Sequence, residues 1–133
     1  MCRILIADDQ IFMRKFVREL IEAQTGWIVC GEAVNGKEAV MQAQILKPDL
    51  IIMDVHMPVI NGLDATKKIL LLRPQTVILI LSIDEATNFS EAAALCGARG
   101  YLPKCQAGAD LVAAVNALLR HEAHFSHVFR APS

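Results

Sequence analysis

The sequence predicts an α/β fold built on a doubly wound parallel sheet, and two observations favour it. Short runs that are wholly apolar, such as residues 4–7 and 50–53, are typical of strands buried on both faces of a sheet. Segments with apolar residues at helical spacing separate these runs, so that strands and helices alternate along the chain. Alternation of this kind produces a parallel sheet with right-handed crossovers. With 133 residues the chain has the length of one domain.

Five strands are predicted from the apolar runs, at residues 3–7, 28–33, 50–53, 77–81 and 100–102. The first helix covers residues 11–24 and ends at Thr25-Gly26. Its apolar residues are expected to form one buried stripe, which consists of Phe12, Phe16, Leu20 and Ile21. The second helix begins after the turn signal Asn35-Gly36 and stops before Pro48.

The remaining three helices come after the third, fourth and fifth strands. The third begins near Asn61-Gly62 and ends before Arg73-Pro74. The fourth, at residues 85–96, is rich in alanine, and the fifth spans residues 110–120. The fifth helix places Leu111, Val115 and Leu118 on one face. Residues 122–133 lose this periodicity, so the sequence divides into a domain at 1–121 and a tail or linker.

Composition and charge exclude several classes of protein. A formal net charge of −1 argues against a nucleic-acid-binding module, which carries a basic face. Arg3 and Asp8-Asp9 interrupt the start of the chain, so no signal peptide is predicted. No apolar run approaches the roughly 20 residues that cross a bilayer. Four cysteines without Cys-x-x-Cys spacing favour reduced thiols. We therefore expect a soluble, cytoplasmic protein with no membrane partner.

Residues able to bind a cation and a phosphoryl group stand at the ends of four of the predicted strands. Asp8 and Asp9 come after the first strand, Asp54 after the third, Ser82 after the fourth and Lys104 after the fifth. Ligands of open α/β sheets bind outside the carboxyl ends of the strands, so these side chains are expected to meet there. Two carboxylates about 4 Å apart repel by roughly 4 kcal/mol at an effective dielectric of 20, so three of them require a cation. Carboxylate oxygens favour Mg²⁺.

Asp54 is the best candidate for a nucleophile, because a carboxylate can accept a phosphoryl group to give an aspartyl-phosphate. Bound Mg²⁺ would neutralise the phosphoryl oxygens, and Lys104 would add a second positive charge. Ser82 could donate a hydrogen bond to the same group. These roles depend on the predicted positions of the residues at the ends of neighbouring strands.

Four segments resemble the receiver domain of bacterial two-component response regulators. They are Ile6-Ala7-Asp8-Asp9, Met53-Asp54-Val55-His56-Met57-Pro58 with Asn61-Gly62, Leu81-Ser82, and Tyr101-Leu102-Pro103-Lys104. The resemblance covers nearly all of residues 1–121, in order and with the family's spacing. Gly31-Glu32-Ala33, Gly36-Lys37-Glu38-Ala39 and Gly97-Ala98-Arg99-Gly100 look most like the NarL/FixJ (LuxR-type) transcription regulators. The resemblance implies a flavodoxin-like sheet of five strands with order 2-1-3-4-5 and five helices.

The resemblance also implies a role for each site residue. Asp54 would accept the phosphoryl group from a sensor histidine kinase. Asp9, Asp54 and the backbone carbonyl of His56 would bind Mg²⁺ directly, and Asp8 would bind it through water. Lys104 would hold the phosphoryl group, while Ser82 and Tyr101 would form the switch pair that reports phosphorylation to the surface. Such receivers usually precede a helix-turn-helix domain, which is absent from this chain, so any contact with DNA would need that output domain.

The chain departs from the family pattern at several positions. Ile83 stands where the family often has a small residue, which could narrow access to Asp54, and Cys105 stands where many receivers have proline. His56 and Asp84 flank the phosphoryl position and could tune hydrolysis.

The leading interpretation is a signalling switch that is not a turnover enzyme, and three alternatives stay open. One is a stand-alone receiver in a phosphorelay, and another is a receiver that only mediates protein contacts. The third is a phosphohydrolase of the haloacid-dehalogenase type, which would want an aspartate two residues after the nucleophile, where His56 stands. Val112 and Leu119 on the fifth helix suggest a homodimer, although one broad core face could also bury them.

Overall fold

The chain folds into a parallel sheet with helices on both faces. The computed structural model describes the backbone of residues 1–83, 86–122 and 124–125, and the side chains of residues 1–83 and 91–122. The strands are β1 (Cys2–Ala7), β2 (Trp27–Ala33), β3 (Leu50–Asp54), β4 (Val77–Ser82), β5 (Gly100–Pro103) and β6 (His124–Phe125). The helices are α1 (Ile11–Glu22), α2 (Gly36–Leu46), α3 (Gly62–Leu72), α4 (Ala86–Leu95) and α5 (Ala107–Leu119).

The strand order is β2-β1-β3-β4-β5-β6, and neighbouring strands pair in parallel. The predicted fold class and the order 2-1-3-4-5 are therefore confirmed. The structure adds β6, which pairs with β5 through Gly100 with His124 and Tyr101 with Phe125. A strand of two residues is too short to show the apolar pattern from which a strand is predicted. The rest of the segment after residue 122 lies outside the described residues.

Alternating side chains of the strands build two cores, one on each face of the sheet. On one face Ile51 and Met53 of β3 pack with buried residues of α2, α3 and α4. On the other face Leu50 and Ile52 pack with buried residues of α1 and α5. Residues 50–53 of β3 are all buried, as this wholly apolar run predicts. None of the described helices is long and apolar enough to cross a membrane.

The buried face of α1 differs from the predicted stripe. Val17 and Ile21 are buried, whereas Phe12 is 83% exposed and Phe16 is 40% exposed. At about 3.6 residues per turn, Phe12 and Ile21 lie on opposite sides of the helix, so one face cannot bury both. The prediction for Phe12 and Phe16 was therefore wrong, and the N-terminal part of α1 presents aromatic surface to solvent.

The fifth helix begins earlier than predicted. A turn of 3₁₀ helix at Lys104–Gln106 comes directly after β5, and α5 starts at Ala107. The predicted face of Leu111, Val115 and Leu118 is fully buried. Val112 and Leu119, which suggested a dimer, are half-buried against their own domain.

Candidate functional site

The carboxyl ends of four adjacent strands carry the predicted site residues. Asp54 is the last residue of β3 and Ser82 the last residue of β4. Asp8 comes directly after β1, and Lys104 directly after β5. Because β1, β3, β4 and β5 are neighbours in the sheet, their ends place these side chains along one edge.

Three carboxylates form a cluster at this edge. Asp8, Asp9 and Asp54 each offer an oxygen atom, and these atoms lie within 4.8 Å of one another. Asp8 and Asp54 are buried, whereas Asp9 is exposed. Burial removes the water that would otherwise weaken the repulsion between the two buried acids.

One side-chain cation balances part of this charge. Lys104 Nζ lies 2.8 Å from Asp8 Oδ2 and 3.4 Å from Asp54 Oδ1. Its side chain is only 9% exposed, so the ion pairs are shielded from solvent. Three carboxylates and one ammonium still leave two formal negative charges uncompensated.

The donor set fits a divalent oxygen-binding cation. Asp8 Oδ2 is buried and, although the Lys104 ammonium is close, no group donates a hydrogen bond to it with acceptable geometry. A buried oxygen of this kind needs a partner. Carboxylate oxygens are hard ligands, which Mg²⁺ prefers. The residual charge and the unsatisfied oxygen are thus both compatible with bound Mg²⁺.

The environment of Asp54 opposes its ionisation. Burial, together with the smaller effect of the negative charge of Asp8, raises the pKa of the Asp54 carboxyl from 3.8 to about 6. The charge of Lys104 and hydrogen bonds from the His56 backbone and the Lys104 ammonium lower this pKa, but less. Without a cation, the ionised form of Asp54 therefore destabilises the folded protein at neutral pH.

Two glycines allow the loop after β3 to pack closely on the site. An ideal Cβ atom on Gly62 would lie 1.9 Å from the carbonyl oxygen of Asp54, and one on Gly36 would lie 1.9 Å from the carbonyl oxygen of Ile60. Gly62 N also donates to the Val55 carbonyl at 2.8 Å. Asn61 caps α3 by accepting from the Asp64 N–H. This packing places α3 directly behind the end of β3.

The remaining predicted residues surround the acids. Ser82 and Tyr101 are both fully buried, on the adjacent strands β4 and β5. His56 and Ile83 are exposed, with 69% of Ile83 accessible. Asp84 lies outside the described residues.

Sequence reasoning missed one residue that contacts the acidic turn. Arg14 of α1 donates from Nη1 to the backbone carbonyl oxygen of Asp8 at 2.8 Å. Its Nε also lies 2.9 Å from Glu32 Oε1 of β2. Arg14 and Glu32 lie on two different elements, so the sequence predicts a charged residue on a helix but does not identify its partners.

Comparison with known sequences finds relatives over most of the chain. The family model described as the response regulator receiver domain matches residues 4–116. The chain is 39% identical over 129 residues to the uncharacterized transcriptional regulatory protein YxjL of Bacillus subtilis, covering 97% of this chain and 59% of that protein. It is 38% identical over 114 residues to the chemotaxis protein CheY of Thermotoga maritima, covering 86% of this chain and 94% of that protein.

A solved structure agrees over nearly the whole chain. It is a two-component response regulator of the LuxR family from Aurantimonas sp. SI85-9A1, with a TM-score of 0.91 and 32% identity. The match covers 96% of this chain and 91% of that chain. The chain therefore belongs to the response regulator receiver domain family.

Proposed function

We propose that this chain is a phosphorylation-controlled signalling switch in which Asp54 accepts a phosphoryl group from a sensor histidine kinase. One observation carries the proposal. A buried Asp54 carboxylate oxygen lies 3.4 Å from the Lys104 ammonium, inside a cluster of three carboxylates that retains net negative charge. A structural ion pair would need only one acid, whereas three acids and a cation suit the binding of a metal and a phosphoryl group.

Each residue of the site has a separate proposed role. Asp9, Asp54 and the His56 backbone carbonyl would bind Mg²⁺ directly, and Asp8 would bind it through water. Bound Mg²⁺ would supply positive charge to the phosphoryl oxygens. An Asp54 oxygen would form a bond to phosphorus as the bond from phosphorus to the donor imidazole nitrogen breaks, and that nitrogen leaves with the electron pair. Lys104 would offset the negative charge of the transferred group.

Ser82 and Tyr101 would convert this local change into a signal. Both side chains are buried; Ser82 lies on β4, which adjoins the strand of Asp54, and Tyr101 lies on β5, the next strand beyond it. The new dianionic group would draw the Ser82 hydroxyl towards it, and the Tyr101 ring would fill the space that Ser82 leaves. The readout surface would be formed by α4, β5 and α5.

The role of the whole protein is proposed from its relatives. The chain spans 59% of the length of a transcriptional regulatory protein that it matches, and a LuxR-family regulator shares its fold. We therefore propose that residues 1–121 form the receiver, that residues 122–133 begin a linker, and that DNA is bound only by a further domain. A cytoplasmic location and a homodimer in which Val112 and Leu119 take part belong to the same proposal.

A stand-alone receiver in a phosphorelay is the second candidate. Its support is the match to a chemotaxis protein, of which the alignment covers 94%. The two candidates share the chemistry at Asp54 and differ in whether an output domain is attached beyond residue 133. The sequence of the complete gene product separates them.

The proposal is tested by incubating the protein with Mg²⁺ and acetyl phosphate or a cognate kinase. Intact-protein mass spectrometry should detect one added phosphoryl group, which Asp54→Asn abolishes. Asp110→Asn, which removes an acid outside the site, should be labelled like the wild type. Release of phosphate from an ester beyond one equivalent would favour the phosphohydrolase instead. No mass change with either donor would favour a domain that only mediates protein contacts.

A further inference from the structure

One side chain of α1 connects the acidic turn to the edge of the sheet. Arg14 donates from Nη1 to the Asp8 carbonyl oxygen at 2.8 Å, and its Nε contacts Glu32 Oε1 at 2.9 Å. The Arg14 side chain is only 13% exposed. The guanidinium is planar and its N–H donors have fixed directions. Binding two partners at once therefore orients the Asp8 carbonyl and the Glu32 carboxylate relative to each other.

The bond to Asp8 acts on the peptide that joins the two acids of the turn. The carbonyl of Asp8 and the N–H of Asp9 belong to one planar unit, so holding the carbonyl holds the plane. Two other bonds fix the same residue from its other side. Asp8 N donates to the Ala33 carbonyl at 3.0 Å, and Gln10 N donates to Asp8 Oδ1 at 2.9 Å. Arg14 restrains the carbonyl of Asp8, which is the side of this residue that is joined to Asp9.

We propose that Arg14 is a positioning residue for the Mg²⁺ site, which orients Asp8 and Asp9 through the peptide between them. The inference rests on the proposed function of the acidic cluster. Arg14 does not touch the carboxylates themselves in the described contacts, which are to the Asp8 carbonyl and Glu32. Arg14 would therefore act on the arrangement of the ligands before the ion binds. The hydrogen-bonding partners of metal ligands often orient the ligands in this way.

A neighbouring arginine provides a matched control. Arg18, one turn further along α1, also pairs with Glu32, with 2.7 Å between Nη2 and Oε2. Its other partner is the Glu22 carboxylate, not the acidic turn. Loss of Arg14 or of Arg18 therefore removes an ion pair to the same glutamate, but only loss of Arg14 frees the peptide between Asp8 and Asp9.

The test compares Arg14→Gln and Arg18→Gln with the wild type. Thermal unfolding in EDTA and then at increasing Mg²⁺ concentration gives both the stability of the metal-free protein and its affinity for Mg²⁺. We expect both variants to be somewhat less stable in EDTA. Arg14→Gln should weaken Mg²⁺ binding by about tenfold, while Arg18→Gln should leave the affinity within about twofold of the wild type.

The outcomes separate this inference from the proposed function. Wild-type affinity in Arg14→Gln, or equal weakening in both variants, would overturn the positioning role while leaving the site intact. No stabilisation of the wild type by Mg²⁺ would overturn the proposed function and this inference with it. Should Arg14→Gln fail to fold, Arg14→Lys keeps the charge but not the planar fork. Weaker Mg²⁺ binding by that variant would support the inference, and wild-type affinity would refute it.

Discussion

Lys104 is shared between two buried acids and lies closer to Asp8 than to Asp54, at 2.8 Å and 3.4 Å respectively. A single ammonium thus lies between the carboxylate that follows β1 and the carboxylate that ends β3. Burial and the charge of Asp8 outweigh the effect of Lys104 on Asp54, so the pKa of the Asp54 carboxyl is raised to about 6.

Removing the shared cation should destabilise the metal-free protein. Lys104→Ala leaves two buried carboxylates without their counter-charge, and loss of one partner of a buried pair costs about 3–5 kcal/mol. Urea unfolding in EDTA at pH 7.5 measures the loss. Lys68→Ala, which removes an exposed lysine of α3, should change the stability little. Equal stability of Lys104→Ala and the wild type would show that the ion pairs contribute nothing.

Neutralising Asp54 should have the opposite effect. The folded-state pKa, about 6, lies above that of the unfolded chain, so wild-type stability falls as pH rises through this interval. In EDTA above pH 7, Asp54→Asn should be more stable by up to about 3 kcal/mol, and the difference should vanish near pH 4. Denaturation at several pH values measures it. Glu91→Gln, which removes an exposed carboxylate, should behave like the wild type, and a pH-independent gain in Asp54→Asn would contradict the explanation.

Val59, in the loop after β3, should be a strained residue. It has φ of 72°, which β-branched residues rarely adopt, and its side chain is 73% exposed. Val59→Gly should raise the free energy of unfolding by about 1 kcal/mol, because relief of strain exceeds the added chain entropy. Val34→Gly removes another exposed valine, whose φ is not positive, and should lower stability. A loss in both variants, measured by urea unfolding, would show that Val59 is not strained.

Gly62 should tolerate no side chain. A methyl group there would lie 1.9 Å from the Asp54 carbonyl oxygen, which is backbone and cannot move aside. Gly62→Ala should therefore displace α3 from the end of β3, lower stability by about 3 kcal/mol and reduce labelling of Asp54 by acetyl phosphate. Gly108→Ala, also in a helix, meets only Phe16 Cζ at 3.4 Å and should gain up to about 1 kcal/mol. Normal labelling of Gly62→Ala would refute the close-packing argument.

The sequence was sufficient to predict five of the six described strands and the grouping of the candidate residues at one edge of the sheet. Runs such as residues 50–53 favour a buried strand, and parallel strands bring the residues at their carboxyl ends to one edge. The acids, Ser82 and Lys104 could therefore be grouped before any contact was known. Their individual roles stay predictions, because grouping fixes location and not reactivity.

Features that depend on tertiary packing could not be predicted. The rotation of α1 about its axis decides that Val17 is buried and Phe12 is exposed, and both residues are apolar in the sequence. The contact of Arg14 with Glu32 joins positions on separate elements, for which charge alone names no partner. The strand β6 gains its hydrogen bonds from β5, so no local pattern marks it.

The pairing of β6 with β5 would give the proposed switch a second route to the rest of the protein. Phe125 is the register partner of Tyr101, so the backbone that carries the aromatic ring is linked by a hydrogen-bonded ladder to the segment that leaves α5. A shift of β5 on phosphorylation would pull directly on that segment. Information about the state of Asp54 could then travel along the polypeptide itself, without first crossing a protein surface.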